Sequence, residues 1–120
     1  QAVELLQDQF TRSGYSAFVF PGRFMDKPLS ASAILKALER IGFKSTVTGH
    51  GWRTTFSTAL NESGRYNPDW VEIQLAHVPK GTRAVYNQAA YLKQRRAMMQ
   101  DYSDAIDQIL AGNGNPLEPE

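Results

Sequence analysis

The sequence has no cysteine and no long apolar run in its 120 residues. Without cysteine, the chain forms neither a disulfide nor a thiolate metal site. The longest apolar stretch lies within residues 16–21 and is too short to cross a bilayer. The first residues include Glu4 and Asp8 instead of the basic start and apolar segment of a signal peptide. These absences predict a cytoplasmic protein that makes no contact with a membrane.

The net charge is also small, at a formal +1. A free-standing DNA-binding module usually carries a clear basic excess, because contacts with phosphates supply most of its affinity. The chain starts at Gln1, within a helical pattern and without an initiator methionine, which predicts a fragment of a longer protein. Its basic residues are unevenly spread, and five of them fall within seventeen residues: Lys80, Arg83, Lys93, Arg95 and Arg96.

Apolar residues recur at helical spacing along most of the chain, which predicts a mainly α fold. The expected helices cover residues 1–13, 30–41, 50–61, 67–78 and 82–110. The apolar run at residues 17–20 permits at most one short strand. A narrow apolar seam is predicted in the last helix from residues that repeat every seven positions: Val85, Leu92, Met99 and Ile106. Residues 111–120 show no periodicity and are expected to form a mobile tail after a domain at 1–110.

Four residues form a pattern with chemical meaning: His50, Arg53, His77 and Tyr86. They include no hard anionic oxygen ligand that would suit Mg²⁺, but they suit a phosphodiester. Arginine presents a planar fork that matches two phosphate oxygens. A histidine at a helix start lies where anions are favoured, and a tyrosine hydroxyl can attack phosphorus to form a covalent phosphotyrosine.

The spacing of these residues favours one shared site. His50 and Arg53 are three residues apart and therefore lie on the same face of a helix. His77 ends its helix, and the turn at residues 79–81 leads the chain back toward Tyr86. Two cations flank this turn and are candidates for contacts with DNA phosphates, solvated surface positions being the alternative: Lys80 and Arg83.

Several segments resemble motifs of the tyrosine recombinase (phage integrase) family, in the version found in phage P4-like prophage and genomic-island integrases. Residues 50–62 (HGWRTTFSTALNE) resemble the box that carries the family's second catalytic arginine. The family's nucleophile box is similar to residues 75–77 (LAH), 84–87 (AVYN) and 91–99. Its middle section is similar to residues 19–21 and 29–30. The resemblance covers nearly the whole chain, and the nine-residue step from His77 to Tyr86 makes it more specific than a bare His-x-x-Arg pair.

The resemblance implies the C-terminal part of the family's catalytic domain and the reaction that this domain performs. Tyr86 would attack DNA and form a 3′-phosphotyrosyl intermediate with a free 5′-hydroxyl. Arg53 would grip the scissile phosphate, and His50 would contact that phosphate or assist proton transfer. His77 would hydrogen-bond a non-bridging oxygen. No metal ion or other cofactor is implied, because the reaction conserves the bond energy. The implied partners, in the nucleoid of a bacterial host, are double-stranded DNA attachment sites, other integrase protomers in a tetramer on DNA, and accessory directionality factors.

The family pattern also includes catalytic residues for which this chain has no counterpart. They are a first arginine, its acidic neighbour and a lysine on a β-hairpin, all upstream of the segments that match. Developing charge on a phosphate needs several donors at once, and losing one costs about 10²–10³-fold in rate. We therefore expect the chain to be inactive by itself.

Other interpretations of these residues remain open on the sequence alone. A non-catalytic helical module that binds DNA or a partner helix is the alternative function. Tyr91 is the nearest rival to Tyr86 as nucleophile. Trp52 and Phe56 are expected in the core, with stacking on DNA bases as the alternative. A solvated helix face, with DNA backbone contact as the alternative, is expected for Arg95 and Arg96.

Overall fold

The structure, a computed structural model, describes residues 1–44, 46–77 and 90–118. Within these ranges the chain forms five helices: α1 (Ala2–Ser13), α2 (Ala33–Arg40), α3 (Gly51–Glu62), α4 (Pro68–Gln74) and α5 (Leu92–Leu110). The described residues contain no strand, since residues 17–20 form bends and only an isolated antiparallel bridge joins Pro21 to Pro28. The prediction of a mainly helical fold is confirmed.

The chain divides into two compact units, Gln1–Gly49 and His50–Glu120. The first unit contains α1 and α2. At the end of α1, Ser13 is buried and its hydroxyl donates to the carbonyl of Val19 at 2.7 Å, which ties the helix to the following turn. The large side chains of α1 stay open to solvent, and Phe10 is 71% exposed. The fully buried apolar side chains of the described residues all belong to the second unit.

The core of the second unit joins its three helices. Leu60 from α3, Val71 from α4 and Met98 from α5 are each 0% exposed. Phe56 meets the ring of Tyr102 edge-on, with the centroids 4.9 Å apart. Removing these apolar surfaces from water stabilises the packing of α3 against α4. These two helices carry the candidate site, so the core fixes its framework.

Helix α4 begins as its sequence predicts. The side chain of Asn67 accepts a hydrogen bond from the backbone N–H of Asp69 at 2.9 Å, and Pro68 occupies the first helical position. Proline loses nothing there, because that N–H has no partner inside a helix. The acidic side chain of Asp69 complements the positive end of the helix.

Helix α5 differs from the prediction in both its start and its buried face. It begins at Leu92, because Tyr91 adopts a left-handed backbone conformation with φ 46°, so the predicted helix over 82–110 is wrong at this point. The core takes Met98 and Ala105, whereas Leu92 is 71% exposed and Ile106 is 41% exposed. The fully buried face is therefore centred on Met98 and Ala105, and of the predicted seam in α5 only Met99 packs against the core, beside Tyr102.

The segment after α5 returns to the core of the second unit. Leu117 is 4% exposed and packs in the same cluster as Leu60 and Met98. Its backbone N–H donates to the side chain of Asn115 at 3.1 Å. Leu117, within the segment that we expected to form a mobile tail, thus packs in the core of the second unit.

Two kinds of feature are absent from the described ranges. None of their helices is long and apolar enough to cross a membrane. They also contain no group of three or more histidine, cysteine, aspartate or glutamate residues arranged to hold a metal ion.

Candidate functional site

Helix α3 presents Arg53 in its first turn, where the side chain is exposed. Phe56 and Leu60 follow three and seven residues later, on nearly the same face, and are buried in the core, which holds the helix in place. His50 precedes the first turn, and its carbonyl accepts from the Arg53 N–H at 3.0 Å. Its imidazole makes no capping hydrogen bond to the helix. The helix start thus carries an exposed imidazole and, one turn later, an exposed guanidinium.

The end of α4 turns sharply and directs the chain toward Arg53. Ala76 has a left-handed backbone with φ 54°. The N–H of His77 donates to the carbonyl of Glu72 at 2.9 Å, and the N–H of Ala76 donates to that of Ile73 at 3.0 Å. These two bonds form a Schellman motif, in which the left-handed position is usually glycine. The motif folds His77 back over the last turn of its own helix.

The two helix ends meet through one hydrogen-bonded group of side chains. The guanidinium of Arg53 donates to the carbonyl of Leu75, the buried residue that ends α4. The same Nη2 lies 3.4 Å from Nε2 of His77. The structure therefore brings Arg53 and His77 together, although they are 24 residues apart in the chain.

Glu72 is a member of this group that the sequence analysis missed. Its carboxylate lies 2.8 Å from Nδ1 of His77. A carboxylate accepts only, so Nδ1 carries the proton and Nε2 is the ring atom that faces Arg53. The side chains of His77 and Glu72 are 52% and 47% exposed. The group is thus oriented by hydrogen bonds and open enough to meet a large ligand.

This arrangement suits an anion that lies against both helix ends. A phosphate oxygen could receive hydrogen bonds from the Arg53 fork and from an N–H of the His77 ring, which Glu72 orients through Nδ1. Charge-assisted hydrogen bonds of this kind are about twice as strong as neutral ones.

The remaining predicted site residues, Lys80, Arg83 and Tyr86, lie outside the described residues. Two surface assignments are wrong within the described part. Trp52, expected in the core, is 56% exposed. Arg95, expected on a solvated face, is half-buried, and its Nε donates to the side chain of Gln74 at 2.9 Å.

Three other tyrosines of the second unit have roles in packing. The hydroxyl of Tyr66 donates to Asp101 at 2.8 Å. Burial and this hydrogen bond raise the pKa of Tyr66 to about 12, which disfavours the phenolate that a nucleophile needs. Burial also raises the pKa of Tyr102. The ring of Tyr91 packs at 6.3 Å from that of Trp70.

Comparisons with known proteins agree on one family. Residues 1–93 match the sequence model of the Phage integrase family. Prophage integrase IntZ of Escherichia coli (strain K12) is 92% identical over 120 residues, which are 100% of this chain and 30% of that protein. The integrase of Shigella phage Sf6 is 43% identical over 95 residues, or 78% of this chain and 24% of that protein. The integrase of Enterobacteria phage P4 is 38% identical over 112 residues, which are 89% of this chain and 26% of that protein.

No solved structure matches the chain. The chain spans 30% or less of the length of these three relatives. The matched region of the family model includes His50, Arg53 and His77, the residues at the two helix ends. On this match and on the identity to the prophage integrase of E. coli, the chain belongs to the phage integrase family.

Proposed function

We propose that this chain carries part of the catalytic site of a tyrosine recombinase, which cuts and rejoins DNA at specific sites. The observation that supports this most is the pairing of Arg53 with His77 at 3.4 Å. Two cationic or protonatable donors, on the ends of two packed helices, match the non-bridging oxygens of one phosphate. Membership of the phage integrase family supports the same reaction class.

In the proposed reaction the hydroxyl oxygen of Tyr86 attacks the scissile phosphorus. A P–O bond forms to the tyrosine, and the bond from phosphorus to the 5′-oxygen breaks. The tyrosine loses its proton, and the leaving 5′-oxygen gains one. Arg53 and His77 stabilise the charge that develops on the phosphate oxygens, and His50 assists from the start of α3. Rejoining is the reverse, with a 5′-hydroxyl attacking the phosphotyrosine.

The DNA partner and the assembly follow from this reaction. The substrate is double-stranded DNA at an attachment site, and the two cations that flank the turn before Tyr86, Lys80 and Arg83, contact its backbone. Strand exchange between two duplexes needs four cleavages, which a tetramer of integrase protomers supplies. Accessory directionality factors belong to the same proposal.

The experiment uses a full-length chimera, defined as the E. coli prophage integrase with its matching 120 residues replaced by this chain. The DNA is a duplex with one half of the relative's attachment site and a nick beside the cleavage position. The nick lets the short 5′-hydroxyl strand diffuse away, so the covalent adduct accumulates. We expect the chimera to form an adduct that survives denaturation. The isolated 120-residue chain should form none, because the first arginine and the hairpin lysine have no counterpart in it.

A second expected result concerns Glu72, which orients His77 through Nδ1. Glu72→Ala should lower the adduct-forming rate about tenfold, as expected for losing one hydrogen bond to a charged group at a partly exposed site. The dissociation constant for DNA should change no more than it does in the control variant, Glu62→Ala. Glu62→Ala removes the same charge from an exposed position on α3 and should leave the rate unaltered.

Glu72→Gln distinguishes the hydrogen bond from the charge. Its side-chain oxygen can still accept from Nδ1 of His77, so we expect part of the lost rate to return. Equal rates for Glu72→Ala and Glu62→Ala would show that Glu72 does not orient His77 during cleavage.

A further inference from the structure

Helix α4 makes contacts to the chain on both sides of residues 78–89. On the upstream side, Glu72 bonds both the backbone N–H and the ring of His77. On the downstream side, the side chain of Gln74, the last residue of α4, accepts from Nε of Arg95 at 2.9 Å. The same short helix therefore makes hydrogen bonds to the chain on both sides of residues 78–89.

The guanidinium of Arg95 bonds two parts of the structure, α4 and the residue Ala90 before α5. Nε donates to Gln74 on α4, and Nη1 donates to the carbonyl of Ala90 at 3.1 Å. Its own backbone N–H donates to the carbonyl of Tyr91 at 2.8 Å. The bond to Gln74 is part-buried, so water competes less for it than at the surface, whereas the bond to Ala90 is exposed. We refer to Gln74, Ala90 and Arg95 as the Arg95 clamp.

The backbone at Tyr91, next to the Arg95 clamp, has a conformation that requires stabilising contacts. Tyr91 adopts a left-handed conformation, with φ 46° and ψ 37°, immediately before α5. A non-glycine residue adopts this conformation only where its surroundings stabilise it. The Arg95 hydrogen bonds on either side of Tyr91, together with the packing of its ring against Trp70, supply that stabilisation.

The clamp is close in sequence to the proposed nucleophile. Tyr86 is four residues before Ala90 and nine residues after His77. An extended chain spans at most about 3.6 Å per residue, so Tyr86 can lie no farther than about 14 Å from Ala90, against about 32 Å from His77. The anchor at Ala90 therefore restricts the position of Tyr86 more than the anchor at His77 does.

We propose that the Arg95 clamp positions Tyr86 for attack, by fixing Ala90 relative to the helix end that carries His77. Arg95 is thus a positioning residue: it acts through the backbone at Ala90 and does not contact the reacting phosphate. This inference rests on the proposed function, in which Tyr86 is the nucleophile. It assigns to Arg95 a role other than the solvated or DNA-contacting one that its charge suggests.

The test measures two quantities for the full-length chimera on the nicked half-site. One is the single-turnover rate of adduct formation at saturating protein, and the other is the dissociation constant for the same DNA. Arg95→Gln should lower the rate about 10–100-fold, because misplacing a reacting group by about 1 Å costs up to about 10²-fold. Arg96→Gln is the matched control, since it removes the same charge from the adjacent, exposed position.

The two variants should weaken DNA binding to the same small extent, and only Arg95→Gln should lower the single-turnover rate of adduct formation. Arg95→Lys keeps the charge but cannot bond two acceptors with a fixed fork, so we expect an intermediate rate. If Arg95→Gln loses only DNA affinity, Arg95 contacts DNA and the proposal is overturned. The same follows if its rate equals that of Arg96→Gln.

If circular dichroism shows that Arg95→Gln does not fold, substitutions of Gln74 test the proposal instead. Gln74→Met removes the acceptor without changing charge and should lower the rate in the same direction. Gln74→Glu provides a stronger acceptor for the guanidinium and should keep the rate of adduct formation unchanged. Normal rates for Gln74→Met would overturn the clamp. Absence of any adduct with the unmodified chimera would instead overturn the proposed function, and this inference with it.

Discussion

Phenylalanine in place of Tyr86 is expected to abolish covalent attachment of the full-length chimera to the nicked half-site. Removing a nucleophile leaves only the rate that binding and charge stabilisation supply, so the loss should be at least about 10⁴-fold. Phenylalanine keeps the ring and removes one oxygen, so the dissociation constant for DNA and the melting temperature should stay unchanged. The adduct is measured as a DNA-linked band on a denaturing gel.

Tyr91→Phe is the matched control for this result. Tyr91 is the nearest other tyrosine in the chain, and its ring packs against Trp70. Losing its hydroxyl should change the cleavage rate by no more than about twofold, as for most substitutions away from a site. If Tyr86→Phe still forms the adduct and Tyr91→Phe does not, Tyr91 is the nucleophile. If the unmodified chimera binds DNA and never forms an adduct, the chain is a non-catalytic module.

Some helix starts and stops could be predicted from the local sequence, although the start of α5 could not. The Asn67-Pro68-Asp69 start of α4 is an example, because a side-chain cap, a proline at the first helical position and an acid all act within one turn. Gly14 follows the last residue of α1 in the same predictable way. Such signals depend on neighbours in the chain, so they can be recognised without knowing the tertiary fold.

The buried face of α5 could not be predicted in the same way. Two apolar repeats run along this helix, one through Met99 and Ile106 and one through Met98 and Ala105. The larger side chains favoured the first, but the core buries the second fully, and of the first only Met99 packs against it. Small Ala105 is buried at 2% exposure, where the helix packs within the core, and Ile106 remains at the surface. Which of two adjacent repeats is buried depends on the partner helices.

The candidate site was predictable in its residue types and only partly in its contacts. Arg53 and His77 were selected by their chemistry and order, and the structure brings them within 3.4 Å. Glu72 was missed because its contact with His77 depends on the left-handed turn at Ala76. Alanine rarely adopts that conformation, so the sequence contains no signal for the turn. Arg95 was assigned to the surface for a similar reason, since Gln74 is 21 residues away.

Arg53 is expected to be the residue with the largest effect after Tyr86. Arg53→Ala should lower the single-turnover rate of adduct formation by about 10²–10³-fold, because it removes a donor aimed at the charge that develops on the phosphate. Arg53→Lys should recover little of this rate. Its ammonium is a single point charge that cannot donate to the Leu75 carbonyl and to a phosphate oxygen with the geometry of a planar fork.

Two controls separate this chemical role from charge and folding. Arg65→Ala removes the same charge from an exposed position between α3 and α4 and should leave the rate unaltered. Circular dichroism and thermal melting check the structural contact, because Arg53 also bonds the carbonyl that ends α4. A rate loss that follows the loss of melting temperature in both Arg53 variants would mean that Arg53 acts only through folding.

A modified DNA tests directly whether Arg53 acts on the scissile phosphate. A methylphosphonate at that position replaces one charged oxygen with a neutral methyl group, so less negative charge remains for the guanidinium to stabilise. The two changes form a double-mutant cycle between protein and DNA. If Arg53 binds that oxygen, Arg53→Ala should cost much less on the methylphosphonate than on the ordinary phosphate. An equal loss on both substrates would show that Arg53 acts elsewhere, and the pair that it forms with His77 would then be a structural contact between two helix ends.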